Sequence, residues 1–229
     1  MGCATMEVLV EFYPLLLKGA IVTVQLTVVS AVIALVISFA VGLARLSRYR
    51  IVRILSVIYL EFFRGTSALV QMFFMFYVLP LLGLSLSPFT AGVIACGFNL
   101  GSYGSEVVRG AVQSVGKGQH EASTALNYTV YQRYRYVLIP QAVPMMIPPF
   151  GNLLIELMKL TAVTSLITIA DLTFVAQIIR AQTAMTLEPF LLILVIYFLI
   201  ASVLVGFTDF VARSIARKRH ITLAGVRRS

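Results

Sequence analysis

Tryptophan is absent from this 229-residue chain, cysteine and histidine occur twice each, and only 12% of residues are charged. Each scarcity excludes something. A typical soluble domain is about 25% charged, so the chain falls outside that class. Cys3 and Cys96 make no disulfide framework; one stands near the N-terminus and the other inside an apolar run, so both read as free thiols. His120 and His220 are isolated, with no second ligand at metal spacing. No G-x-x-x-x-G-K-[ST] loop exists: Gly116-Lys117-Gly118 lacks both the leading glycine spacing and the hydroxyl residue. Nothing here supports enzyme chemistry, and no cofactor is expected on this chain. Without tryptophan, the interfacial anchors must be Tyr and Phe.

What is present is apolar. Hydrophobic residues make up 59% of the chain, and mean hydropathy is +0.95. Residues 19–44 carry no charge over 26 positions, where a spanning helix needs about 20. A second apolar stretch runs from Arg53 to Pro80, interrupted by Glu61 and Arg64. A third runs from Pro88 to about Ala111, broken by Glu106 and Arg109. Residues 136–155 form a fourth, with Pro140, Pro144, Pro148 and Pro149, and residues 189–208 a fifth. Prolines are tolerated in membrane helices whose neighbours satisfy the freed carbonyls. The expectation is an all-α, polytopic membrane protein of about five transmembrane helices. It is read as one domain over residues 1–229, with a core of about 15–212 and a basic tail at 213–229.

Charge sets the expected orientation. Fourteen of the eighteen basic residues fall on one side. They are Arg45, Arg48, Arg50 and Arg53; Arg109, Lys117, Arg133 and Arg135; and Arg213, Arg217, Lys218, Arg219, Arg227 and Arg228. The connection between Pro80 and Pro88 holds none. The positive-inside rule puts the rich side in the cytoplasm, leaving the N-terminus outside and the C-terminus inside. The net charge of +9 therefore reads as a topology signal and not as a nucleic-acid surface. Glu7 and Glu11 precede the first apolar segment, so no cleavable signal peptide is expected. Met6 stands where a myristoylation pattern needs Ser or Thr. No convincing internal repeat appears, which weakens an inverted-repeat carrier.

Charges inside spans cost about 2.5–3.5 kcal/mol each and call for a partner or a purpose. Glu61 and Arg64 stand three apart, as do Glu106 and Arg109. Each pair either neutralises itself along one helix face or lends a member to a charged substrate in an inner path. Glu156, Lys159, Thr161, Thr164 and Ser165 form a hydroxyl-rich, partly charged stretch on the expected outer side. Those hydroxyls either bond back to their own helix carbonyls or line the path.

One polar island interrupts the apolar chain between Gly118 and Ala142. Glu121, Ala122 and Ala125 share a helical face where small side chains permit close approach. A Tyr- and Arg-rich cluster over 128–136 follows, and Pro140 ends it. The plain alternative is an ordinary cytoplasmic loop.

The island resembles the EAA motif of permease subunits of binding-protein-dependent ABC importers: EAA, three residues, Gly, nine residues, then I-x-L-P. Glu121-Ala122-Ser123 begins it and Val137-Leu138-Ile139-Pro140 closes it at that spacing, with Asn127 in the Gly position. Asn tolerates left-handed backbone, so the turn can survive. Three further blocks resemble the polar amino acid branch: Tyr59 to Phe74, with Ser67 replacing a Pro; Gly101 to Ala122; and MKLTAVTSLITIADLT, with Leu160 in an Asp position. The resemblance covers roughly residues 15–210. It implies a permease in the cell inner membrane that pairs with itself or a paralogue. It also implies two ATP-binding subunits, which would hold ATP and Mg²⁺, and an extracytoplasmic solute-binding protein. Gly118, Glu121, Ala122, Ser123, Ala125, Asn127 and Pro140 would form the ATPase-coupling element. The substitutions look closest to ectoine and hydroxyectoine permeases, which would give a small zwitterionic substrate, with polar amino acids the alternative. From another class, an ATP-independent channel or carrier would relay ions through Glu61, Glu106 and Glu156, and a scaffold would only recruit a partner.

Overall fold

The computed structural model describes residues 2–218, with side chains for 12–215. The side chain of Cys3, the side chains of Arg217 and Lys218, and Arg219, His220, Arg227 and Arg228 of the basic tail lie outside the described residues. Among the described residues every regular element is helical. Helix α1 covers Gly2–Ala44, α2 Arg50–Gly65, α3 Ala68–Phe73 and α4 Pro88–Ser114. Then come α5, Lys117–Ala125; α6, Val130–Gln132; α7, Ile139–Thr161; α8, Leu172–Thr183; and α9, Leu187–Lys218. Residues 74–82 extend α3 through a wide and then a tight turn, and a wide turn at 133–138 joins α6 to α7.

The α1–α4 seam organises the bundle. Buried positions on α1 step by three or four residues through Thr23, Thr27, Ser30, Ala34, Ser38 and Gly42, while Ile21, Val24, Val28, Val32 and Val36 are exposed. In lipid, apolar surface gains nothing by hiding from its solvent. Association rests on close packing of small residues. Of the four seam hydroxyls, Ser30 Oγ is buried with no hydrogen-bond partner among the described residues; the others bond to carbonyls, Thr23 donating to Gly19 O at 3.0 Å and Thr27 to Thr23 O at 2.8 Å. Ser38 donates to Ala34 O at 2.6 Å and reaches across to Gly101 O at 3.3 Å. Gly97 and Gly101 of α4, a G-x-x-x-G pair, meet this seam. A Cβ at Gly97 would lie 2.8 Å from Ile33 Cγ2, and one at Gly101 2.7 Å from Ile37 Cγ2.

About five spans were expected, and the helices differ in two places. Among the described residues three stretches are long and apolar enough to cross a membrane: Phe12–Ala44, Val130–Ile167 and Leu187–Ile215. The second expected stretch is broken, with Arg50–Gly65 and Ala68–Leu82 meeting at 100°. Together they make a possible fourth crossing. The break is pinned by amides. Gln71 Nε2 donates to Phe63 O (3.0 Å), Thr66 O (3.3 Å) and Thr66 Oγ1 (2.7 Å). Asn99 Nδ2 of α4 donates to Phe63 O (3.0 Å) and Gln71 Oε1 (3.2 Å). A broken helix leaves carbonyls that lipid cannot solvate, and these amides supply the donors. The third expected span, α4, falls short of the others in apolarity because it is the most enclosed helix. Ala91, Cys96, Asn99, Ser102 and Ser105 are all buried in it, so it need not be greasy all round.

A second knot ties α8 to the bundle. Asp171, fully buried, caps α8 by accepting from Phe174 N at 2.9 Å, and its other oxygen accepts from Tyr197 OH at 3.2 Å. Thr23 of α1 accepts from Leu172 N at 3.2 Å. Helix α9 holds the least enclosed of the three apolar stretches, so its outer face meets lipid or another chain.

Close packing at the seam gives a test. Gly101→Val should cost about 1–3 kcal/mol by overpacking, read as a lowered melting temperature in detergent. Gly110→Ala, where an added Cβ meets nothing within 4 Å, should leave melting unchanged or slightly raised. Equal behaviour of the two variants would contradict the seam.

Candidate coupling surface and the fate of the charged residues

The island folds as a short helix standing off the bundle. In α5, Gly118, Glu121, Ala122, Thr124 and Ala125 are exposed, and Ser123 alone turns inward, donating to His120 O at 2.8 Å. The helix ends in a Schellman arrangement: Tyr128 N donates to Ser123 O (3.1 Å) and Asn127 N to Thr124 O (3.0 Å). Asn127 takes φ +56°, the left-handed conformation that the Gly position of the motif requires. The substitution therefore preserves the turn. Immediately after it, Thr129 and Gln132 form a reciprocal capping box that restarts the chain as α6. Gln141 Nε2 donates to Gln119 Oε1 at 3.1 Å, fastening α5 to the first turn of α7, which also holds the half-buried Pro140. A small-residue face with one exposed carboxylate is thus held rigidly and left open.

The charged residues separate into two groups. Glu106 is clamped: it pairs with Arg45 at the end of α1, while Arg109 Nε donates to its other oxygen at 2.9 Å. Arg109 also reaches Gln113 at 2.6 Å. The i,i+3 pair expected at Glu106 and Arg109 forms. Arg45, counted in the sequence only as a topology charge, joins it from 61 positions away. Glu61 and Arg64 form no ion pair with each other. Instead the Arg64 guanidinium lies 5.3 Å from the Tyr103 ring centre, and Glu61 is exposed without an ionic partner among the described residues. Attraction to a ring face explains why the long arginine leaves a solvated carboxylate.

Glu156 and Lys159 are exposed on α7. The neighbouring hydroxyls are not: Thr161, Thr164 and Ser165 are buried and donate to Met158 O (2.7 Å), Thr161 O (2.6 Å) and Ala162 O (2.9 Å). They stabilise the tight turn after α7, the simpler of the two uses open to them. Gln71, Asn99 and the Asp171–Tyr197 knot carry structural roles that spacing did not reveal. An isolated Asn in an apolar run was the one available signal.

Two stability tests follow from this geometry. Asn127→Val should cost about 1–2 kcal/mol because a β-branched side chain resists the left-handed region, whereas Asn127→Gly should be neutral. Amide exchange across α5 reads the difference, and faster exchange in the glycine variant would contradict it. Glu106→Leu strands two partly buried cations, at a cost of about 2 kcal/mol between the exposed and buried limits. Its melting temperature should fall, while Glu61→Leu should leave melting nearly unchanged.

Comparison with known proteins agrees with this architecture. The family described as binding-protein-dependent transport system inner membrane component matches residues 34–217. A probable amino-acid ABC transporter permease of Sinorhizobium fredii is 45% identical over 208 residues, covering 88% of this chain and 87% of its own. The L-cystine transport system permease of Bacillus subtilis is 38% identical over 172 residues, covering 75% and 74%. Among solved structures, the crystal structure of an amino acid ABC transporter with histidines superposes with a TM-score of 0.84 at 33% identity, covering 90% of this chain and 96% of the other. The helical architecture, the motif spacing and these matches agree: the chain belongs to the inner-membrane permease components of binding-protein-dependent transport systems.

Proposed function

We propose that this chain is the permease subunit of an ABC importer for polar amino acids. It forms the translocation path with a second permease, itself or a paralogue. Two ATP-binding subunits, which hold ATP and Mg²⁺, dock on α5, and an extracytoplasmic solute-binding protein delivers the substrate. The observation that carries the reading is α5 itself. A short capped helix with Glu121, Ala122 and Ala125 exposed suits a cleft on an ATPase, and a channel or carrier has no use for one. A rigid element of this kind passes nucleotide-driven closure to the spans as a rigid-body displacement.

Relatives named for amino acids and cystine favour an amino acid over the ectoine-type solute expected from the sequence. The exposed charges Glu61, Arg64, Glu156 and Lys159 offer both signs, as a zwitterion needs. Glu106, neutralised by two arginines, serves the fold more readily than the substrate.

Proteoliposomes holding the complete complex test the assignment. ATP-dependent uptake of labelled polar amino acids is expected, with Glu121→Lys losing both stimulated ATP hydrolysis and uptake. Uptake of ectoine with no amino acid uptake would overturn the substrate class. Uptake without any ATP-binding subunit would overturn the importer reading.

A further inference from the structure

A cavity of about 680 Å³ opens between the end of α1 and the start of α6, lined by no residue of α5 and by none of the charged residues of the proposed path. Its polar wall carries Ser47, Arg48, Thr129 and Arg133, and no acidic side chain among the described residues lines it. Arg133 is half-buried, and its Nε is fully enclosed with no hydrogen-bond partner among the described residues. Arg48 stacks on Tyr49 at 4.9 Å and uses one nitrogen on the Tyr49 hydroxyl at 2.9 Å, leaving its other donors available. The rest of the wall is formed by Leu43, Leu46 and Val130 together with the rings of Tyr49, Tyr131 and Tyr134. Two guanidinium groups facing one cavity without a counter-charge are suited to an anion with several acceptor oxygens.

The surroundings identify the kind of anion. Helix α2 begins beside the cavity with Arg50 and Arg53, neither in an ion pair among the described residues, and continues with Ile51, Ile54, Leu55 and Ile58 exposed. That is the pattern of a helix at the boundary between headgroups and acyl chains. The cavity lies at the same level, on the side that the charge asymmetry assigns to the cytoplasm, where anionic lipid is attracted by clustered arginines. We infer that Arg48 and Arg133 form a binding site for the phosphate of an anionic phospholipid, with the apolar wall accepting the start of its acyl chains. Seated there, the lipid bridges the end of α1 to the segment that follows α5.

The test is lipid retention by the complete importer complex. The complex is equilibrated in vesicles of equal parts phosphatidylglycerol and phosphatidylcholine, extracted in mild detergent and weighed intact by native mass spectrometry. Phosphatidylglycerol should be retained in preference to phosphatidylcholine. The double variant Arg48→Ala, Arg133→Ala should retain about tenfold less, as loss of a charge-assisted hydrogen bond implies. Arg213→Gln, on the same side but not among the residues that line the cavity, should retain as much as the parent. The double lysine variant keeps the charge and should keep most of the lipid, which separates a lost site from a misfolded chain. Unchanged retention in the alanine variant would overturn the site. So would release of the ATP-binding subunit with lipid retained, which would make the cavity a protein-docking surface. Displacement of the phosphatidylglycerol by inorganic phosphate at physiological concentration would equally overturn it, in favour of a free-anion site. Each readout is independent of which solute is carried.

Discussion

Close approach of α1 and α4 is the constraint on which the rest of the structure depends. Lipid is as apolar as leucine, so burying large side chains between helices gains little. The chain instead puts Thr23, Thr27, Ser30, Ala34 and Ser38 on one face of α1 and Gly97 and Gly101 on the facing side of α4. Backbones then come close enough for Ser38 to reach the Gly101 carbonyl. The large aliphatic residues that a soluble protein would bury lie outward on α1 and α9. Enclosing α4 in this way is what permits it to carry Asn99, Ser102 and Glu106.

That central helix then serves as an anchor for what a lone helix could not sustain. Asn99 stabilises the 100° break between α2 and α3 by donating to the carbonyl that the break exposes. Glu106 gathers Arg45 and Arg109 around one carboxylate two turns further along. Each arrangement joins groups far apart in the chain. Each also explains why polar side chains persist at positions that composition alone would make apolar. Glu61, Glu156 and Lys159 are exposed charges that no such arrangement claims, while Arg64 lies over the Tyr103 ring of α4.

Helix α5 follows a different logic, because its geometry is local. Helix α5 ends where Asn127 turns left-handed, and Thr129 with Gln132 restarts the chain two residues later. Both devices are readable from residue type and spacing, since capping and left-handed turns involve neighbours only. The inward turn of Ser123 was also within reach, as the small residue between exposed positions. The arginine cavity was not, because Arg48 and Arg133 come from distant segments brought together where Leu43, Leu46 and Tyr134 pack on one buried cluster with Val108 and Leu138.

The sequence by itself determined the membrane class, the all-helical architecture, the location of the polar island and the turn at Asn127. Apolar run length, charge distribution and short-range capping are properties of contiguous residues, and the solvent acts on them directly. Tertiary structure decided the rest: that Arg45 neutralises Glu106, that Arg64 goes to Tyr103 and not to Glu61, that the second span breaks, and that Thr161, Thr164 and Ser165 face inward. The physical reason is the same in each case. A charge or hydroxyl in a membrane takes the best partner within reach. Reach is set by helix packing, which one-dimensional spacing does not contain.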